Sequence, residues 1–123
     1  MTRIAALIGK GGRLPAILEC VERLRDRAEV RLVISYKKES PGVELAREKG
    51  IESVCMYWGG WKKEGKGREE FCREVARILT ERHIDLVVMA GWDVILSKEY
   101  FDGFSGKTMN IHPSLLPAFA GFH

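Results

Sequence analysis

The stretch RIAALIGKGGRLPAILECVERL, Arg3 to Leu24, decides the fold. Arg3 to Ile8 is an almost uninterrupted apolar run that stops at Gly9, the pattern of a strand buried on both faces. After the glycines, Leu14, Ile17, Leu18, Val21 and Leu24 recur at spacings of three and four. That spacing puts them on one face of a helix, which tolerates Pro15 in its first turn, and leaves Glu22, Arg23, Arg25 and Asp26 on the other. A buried strand, a glycine loop and an amphipathic helix in this order begin a parallel α/β sheet.

The same alternation continues downstream. Val30 to Ser35 is a second strand, Pro41 to Lys49 a short helix stopped by Gly50, and Ile51 to Met56 a weaker third strand. Tyr57 to Gly67 (YWGGWKKEGKG) has neither helical nor strand period and is predicted as a loop, with Lys62, Lys63 and Lys66 in solvent. Phe71, Val75, Ile78 and Leu79 mark a helix from about Arg68 to Arg82. Leu86 to Ala90 is a fourth strand, closed by Gly91, and Thr108 to Ile111 a fifth. There is no internal repeat, and the reading is one domain over residues 1–123.

Composition narrows the function classes. The 123 residues are 46% hydrophobic and 30% charged, as in a folded globular chain. Twenty basic against 17 acidic side chains give a charge of +3, too small an excess to imply nucleic acid or an anionic membrane surface. No apolar run is long enough to span a bilayer, and no secretory signal precedes the first strand, so the expected location is cytoplasmic. Cys20, Cys55 and Cys72 are odd in number and far apart, which argues against a disulfide framework or zinc site and for reduced, mostly buried thiols.

In an open parallel sheet the ligand crevice lies beyond the carboxyl ends of the strands, where strand order reverses. Three segments fall at such ends. Gly9-Lys10-Gly11-Gly12-Arg13 joins the first strand to the first helix, so its N–H groups and the helix terminus suit a phosphate; a tight structural turn is the alternative. Its spacing is neither that of a dinucleotide fingerprint nor that of a P-loop. Gly91 to Leu96 (GWDVIL) offers apolar side chains beside free backbone groups, either for a flat heterocycle or for ordinary helix packing. Asn110-Ile111-His112 ends the fifth strand, and residues two apart on a strand share a face. An amide that stabilises an oxyanion beside an imidazole that moves a proton suits acyl transfer to an amine.

Asn110 to Pro117, Asn-Ile-His-Pro-Ser-Leu-Leu-Pro, resembles without a mismatch the signature Asn-x-His-Pro-Ser-Leu-Leu-Pro of the folate-dependent formyltransferases. Gly9 to Ile17 is similar to the phosphate loop of the members that formylate glycinamide ribonucleotide. Arg68-Glu69-Glu70-Phe71 and Ala90-Gly91-Trp92 with Ile95-Leu96 resemble two further motifs of that branch. The resemblance covers the whole chain and implies an open, mostly parallel Rossmann-like sheet, the formyltransferase fold, truncated after about the fifth strand.

The resemblance implies transfer of a formyl group from the co-substrate 10-formyltetrahydrofolate to the amine of glycinamide ribonucleotide, in purine biosynthesis and without a metal. By the same resemblance Gly11, Gly12 and Arg13 would hold the substrate phosphate. Arg68 and the backbone of Asp93, Val94, Ile95 and Leu96 would hold the folate, and Asn110 and His112 would be catalytic. Gly12 and Arg13 stand where the family has Ser and Asn, which exchanges a hydroxyl for a cation, and Asp93-Val94 stands in place of Met-Arg. The family's catalytic Asp belongs to a later loop, beyond His123. The implied partners are therefore the two small molecules and a second copy or a complementing C-terminal chain. The rival readings are a phosphate-binding remnant or half-enzyme, and a formyltransferase acting on a sugar or tRNA. Leu115, Leu116, Phe119 and Phe122, with no later strand to cover them, are expected to favour self-association.

Overall fold

The computed structural model describes residues 1–111. His112 and the four apolar side chains named for self-association lie outside the described residues. Five strands, β1 (Thr2–Ile8), β2 (Ala28–Ser35), β3 (Glu52–Cys55), β4 (Leu86–Ala90) and β5 (Thr108–Asn110), alternate with helices α1 (Leu14–Glu22), α2 (Pro41–Glu48), α3 (Trp58–Lys63), α4 (Arg68–Glu81) and α5 (Lys98–Phe104). The strands form one sheet in the order β3-β2-β1-β4-β5, and every neighbouring pair is parallel. The expected α/β architecture is the observed one.

Period two explains why the strands read as continuous apolar runs. In β1, Ala5 and Leu7 join the core beneath Phe71, Val75 and Leu79 of α4, whereas Ala6 and Ile8 pack with Leu14 of α1 and Ala46 of α2. Helices cover both faces, so both parities must be apolar. The central strand β1 is almost wholly enclosed, with Ala5 to Ile8 at 0% exposure.

Four sequence readings need correction. Trp58–Lys63 is a helix, although two of its six residues are glycine, because Trp58 and Trp61 set their rings edge-on against buried Phe71 at 5.0 and 5.5 Å. Helix α1 stops at Glu22, where a turn begins, and the predicted core residue Leu24 is 46% exposed. Helix α5 is an element that the sequence reading leaves unassigned; Tyr100 and Phe104, four apart, bury its inner face. Of the three thiols only Cys72 is buried, while Cys20 is intermediate and Cys55, on the edge strand β3, is exposed.

Candidate active site

From β1 the chain adds β2 and then β3 on one flank, and returns through α3 and α4 to place β4 on the other. Strand order therefore reverses between β1 and β4, where Ile8 pairs with Ala90 and the two carboxyl ends are level. A cleft of about 420 Å³ opens there, lined by Lys10, Gly11, Gly12 and Arg13 after β1 and by Ala90 and Gly91 after β4. All three residues expected to bind phosphate lie on it. Gly11 has φ +88°, and a Cβ there would stand 2.6 Å from Gly42 Cα, so only glycine lets the loop double back against α2.

Among the described residues, the N–H groups of Lys10, Gly11, Gly12 and Arg13 donate to no backbone carbonyl, and neither Lys10 nor Arg13 forms an ion pair. Arg13 is the N-cap residue of α1, and its Nη1 lies 3.4 Å from where a Cβ on Gly91 would be. The guanidinium thus reaches across the cleft to the β4 side. The Arg13 guanidinium and the amino end of a helix meet at this hollow, with Lys10 on the rim it shares with a second hollow beside α2, an arrangement that attracts an anion. The loop carbonyls turn the other way: Ser35 Oγ donates to Gly9 O at 2.7 Å and Ser40 Oγ to the same oxygen at 2.9 Å. Neither serine stands out in the sequence, because single hydroxyls there carry no pattern.

A second cleft, of about 230 Å³, is lined by Tyr36, Trp58, Arg68, Asp93, Val94 and Ile95. Most of the residues expected to hold folate are therefore brought together. The 91–96 segment is irregular rather than helical, and its side chains alternate: Trp92, Val94 and Leu96 are buried, whereas Ile95 is 68% exposed. Leu96 does not line the cleft and packs in the core. Tyr36 and Trp58 are lining residues that sequence reasoning missed; the aromatic-rich run from Tyr57 to Trp61 was the available signal for the second.

Tyr36 also links the two clefts. Its hydroxyl lies 3.4 Å from where a Cβ on Gly9 would stand, and it donates to Asp93 Oδ2 at 2.9 Å. Burial, and then the Asp93 carboxylate, push the phenol up to about 12, so it remains a donor at neutral pH. Asn110 is exposed at the carboxyl end of β5, level with Met89 of β4, and borders neither cleft. Among the described residues no group of three or more His, Cys, Asp or Glu side chains is placed to hold a metal, and no helix is long and apolar enough to cross a membrane.

Comparison with known proteins adds relatives to this geometry. The family described as formyl transferase matches residues 2–123. The phosphoribosylglycinamide formyltransferase of Escherichia coli K12 is 32% identical over 123 residues, which cover 100% of this chain and 56% of that protein. The human trifunctional purine biosynthetic protein adenosine-3 is 37% identical over 120 residues, 97% of this chain and 12% of that one. The crystal structure of glycinamide ribonucleotide transformylase 1 from Symbiobacterium toebii superposes with a TM-score of 0.81 at 35% identity, over 98% of this chain and 56% of its own. The chain spans about half the length of the single-function curated relatives it matches.

Proposed function

The chain belongs to the formyl transferase family, and from that premise we propose that it provides the phosphate and folate subsites for formylation of glycinamide ribonucleotide by 10-formyltetrahydrofolate. The observation that carries the reading is the coincidence of the strand-order reversal with a cleft of loop amides and two cations. Gly11, Gly12 and Arg13 hold the ribonucleotide phosphate. Arg68 and the backbone of Asp93, Val94 and Ile95, beside the wall of Tyr36 and Trp58, hold the folate. The two small molecules then meet across Gly9, where the clefts adjoin.

In the reaction the substrate amine attacks the formyl carbon, and the carbonyl electron pair moves onto oxygen; the family resemblance, rather than the position of either cleft, assigns the Asn110 amide as the donor to it. His112 takes the proton from the attacking nitrogen and delivers it to N10 of the folate as the carbon–N10 bond breaks. The products are the formylated ribonucleotide and tetrahydrofolate.

Titration with glycinamide ribonucleotide and with the phosphate-free riboside tests the assignment, which predicts much tighter binding of the ribonucleotide. Equal affinity would overturn it. The position of Asn110, which borders neither cleft, favours a second reading, a unit that binds the phosphate but needs a complementing chain for turnover. Binding without formyl transfer by the 123-residue chain, with transfer restored when the remaining part of a relative is added, distinguishes that reading from the first.

A further inference from the structure

Ser35 and Ser40 are buried, and no other serine, threonine, amide or charged side chain among the described residues is as buried. Both converge on one oxygen. Ser35 Oγ, at the end of β2, donates to Gly9 O and itself accepts from the Lys37 N–H at 3.1 Å. Ser40 Oγ, just before α2, shares its proton between Gly9 O and Lys10 O at 2.9 and 3.2 Å, and the Gly42 N–H holds Lys10 O at 2.8 Å. Both lone pairs of Gly9 O are thereby taken by hydroxyls. Ser40 is the N-cap residue of α2, yet its hydroxyl caps no helix N–H and is spent on the loop instead.

The geometry points to Ser35 and Ser40 as positioning residues that aim the Lys10 and Gly11 N–H groups at an anion in the cleft between β1 and β4. A trans peptide holds the C=O of one residue and the N–H of the next antiparallel, and the described chain has no cis peptide. With Gly9 O drawn toward the serines, the Lys10 N–H faces away from them. With Lys10 O drawn toward Ser40 and Gly42, so does the Gly11 N–H. Both residues line the cleft, and among the described residues neither N–H has a backbone acceptor. Freed from the clamp, these two peptides can rotate, and an anion must then pay the ordering cost that the serines cover in advance.

The inference rests on the phosphate reading of the cleft, and one experiment separates the two. Glycinamide ribonucleotide and its riboside are titrated into wild type, Ser40→Ala, Ser40→Thr and Ser35→Ala/Ser40→Ala, with the thermal midpoint of each sample recorded. The hydroxyl-retaining Ser40→Thr is the rescue variant; position 40 borders a hollow of about 740 Å³ beside α2, lined also by Lys10 and Cys55, which has room for the added methyl. The double variant is expected to bind the ribonucleotide roughly tenfold more weakly, the size of one weakened charge-assisted hydrogen bond, with riboside affinity unchanged. Ser40→Ala should fall between, and Ser40→Thr should match wild type. In amide NMR of wild type, ribonucleotide should shift the Lys10 and Gly11 signals, and less so in Ser40→Ala, a readout that survives even if the double variant does not fold. Wild-type affinity and amide shifts in Ser40→Ala overturn the positioning role while leaving the phosphate site standing. Failure of wild type to prefer the ribonucleotide overturns both.

Discussion

At position 11 the backbone conformation itself selects the residue: φ of +88° and the 2.6 Å approach to Gly42 leave no space for a side chain. Gly11→Ala should cost about 1–3 kcal/mol of stability, read from a shifted denaturant midpoint, together with loss of ribonucleotide binding. Arg13 is the contrasting case, half-buried at the cleft and without an ion-pair partner among the described residues. Arg13→Gln should leave the midpoint unchanged and weaken ribonucleotide binding roughly tenfold, as expected for one charged hydrogen bond. Tyr36 and Tyr100 couple stability to alkaline pH. Burial is the leading cause for both, and it raises each phenol from 10.0 to about 12 in the folded chain. Between those values the unfolded chain has lost protons that the folded chain keeps, so stability is full below pH 10 and falls as pH rises toward about 12. Denaturation midpoints measured across that range should decline, and Tyr36→Phe should remove part of the slope.

Among the elements, α3 shows how tertiary packing overrides local preference. Six residues with two glycines lie far below the length at which a helix stands alone. What holds it is Phe71 of α4, at 0% exposure, with the Trp58 and Trp61 rings edge-on to it. The lysines expected in solvent contribute as well: Lys62 Nζ lies 5.7 Å from the Trp58 ring and Lys66 Nζ 4.6 Å from the Trp61 ring. Phe71→Ala should cost about 3–5 kcal/mol for the cavity and should also melt α3. A loss of far-ultraviolet helical signal and a red shift of tryptophan emission at temperatures where the rest remains folded would show this; loss of stability alone, with both signals intact, would contradict it. By contrast α4 was legible, because Phe71, Val75, Ile78 and Leu79 recur at helical spacing and all four are buried.

At the level of the whole molecule, β1 is the strand on which everything depends. It pairs with both β2 and β4, is sealed by helices on both faces, and ends at the candidate site. Amide hydrogen exchange should therefore be slowest in β1 and faster in β3 and β5, which have a single partner strand among the described residues. Equal protection of β3 and β1 would contradict this. The sequence by itself determined the α/β class, all five strands, the helices α1, α2 and α4, and the glycine loop between β1 and α1, because each is written in contiguous residues: apolar runs, three-and-four spacing, glycines between a strand and a helix. It did not determine α3 or the outward turn of Leu24, and it gave no sign of Tyr36, Ser35 or Ser40. The roles of these three side chains depend on which groups the sheet order brings together across 26 to 57 positions of chain, as in the Ser35 hydroxyl on Gly9 and the Tyr36 hydroxyl on Asp93. A hydrogen bond or ring contact between residues that far apart leaves no period in the sequence, so only the packed structure decides it.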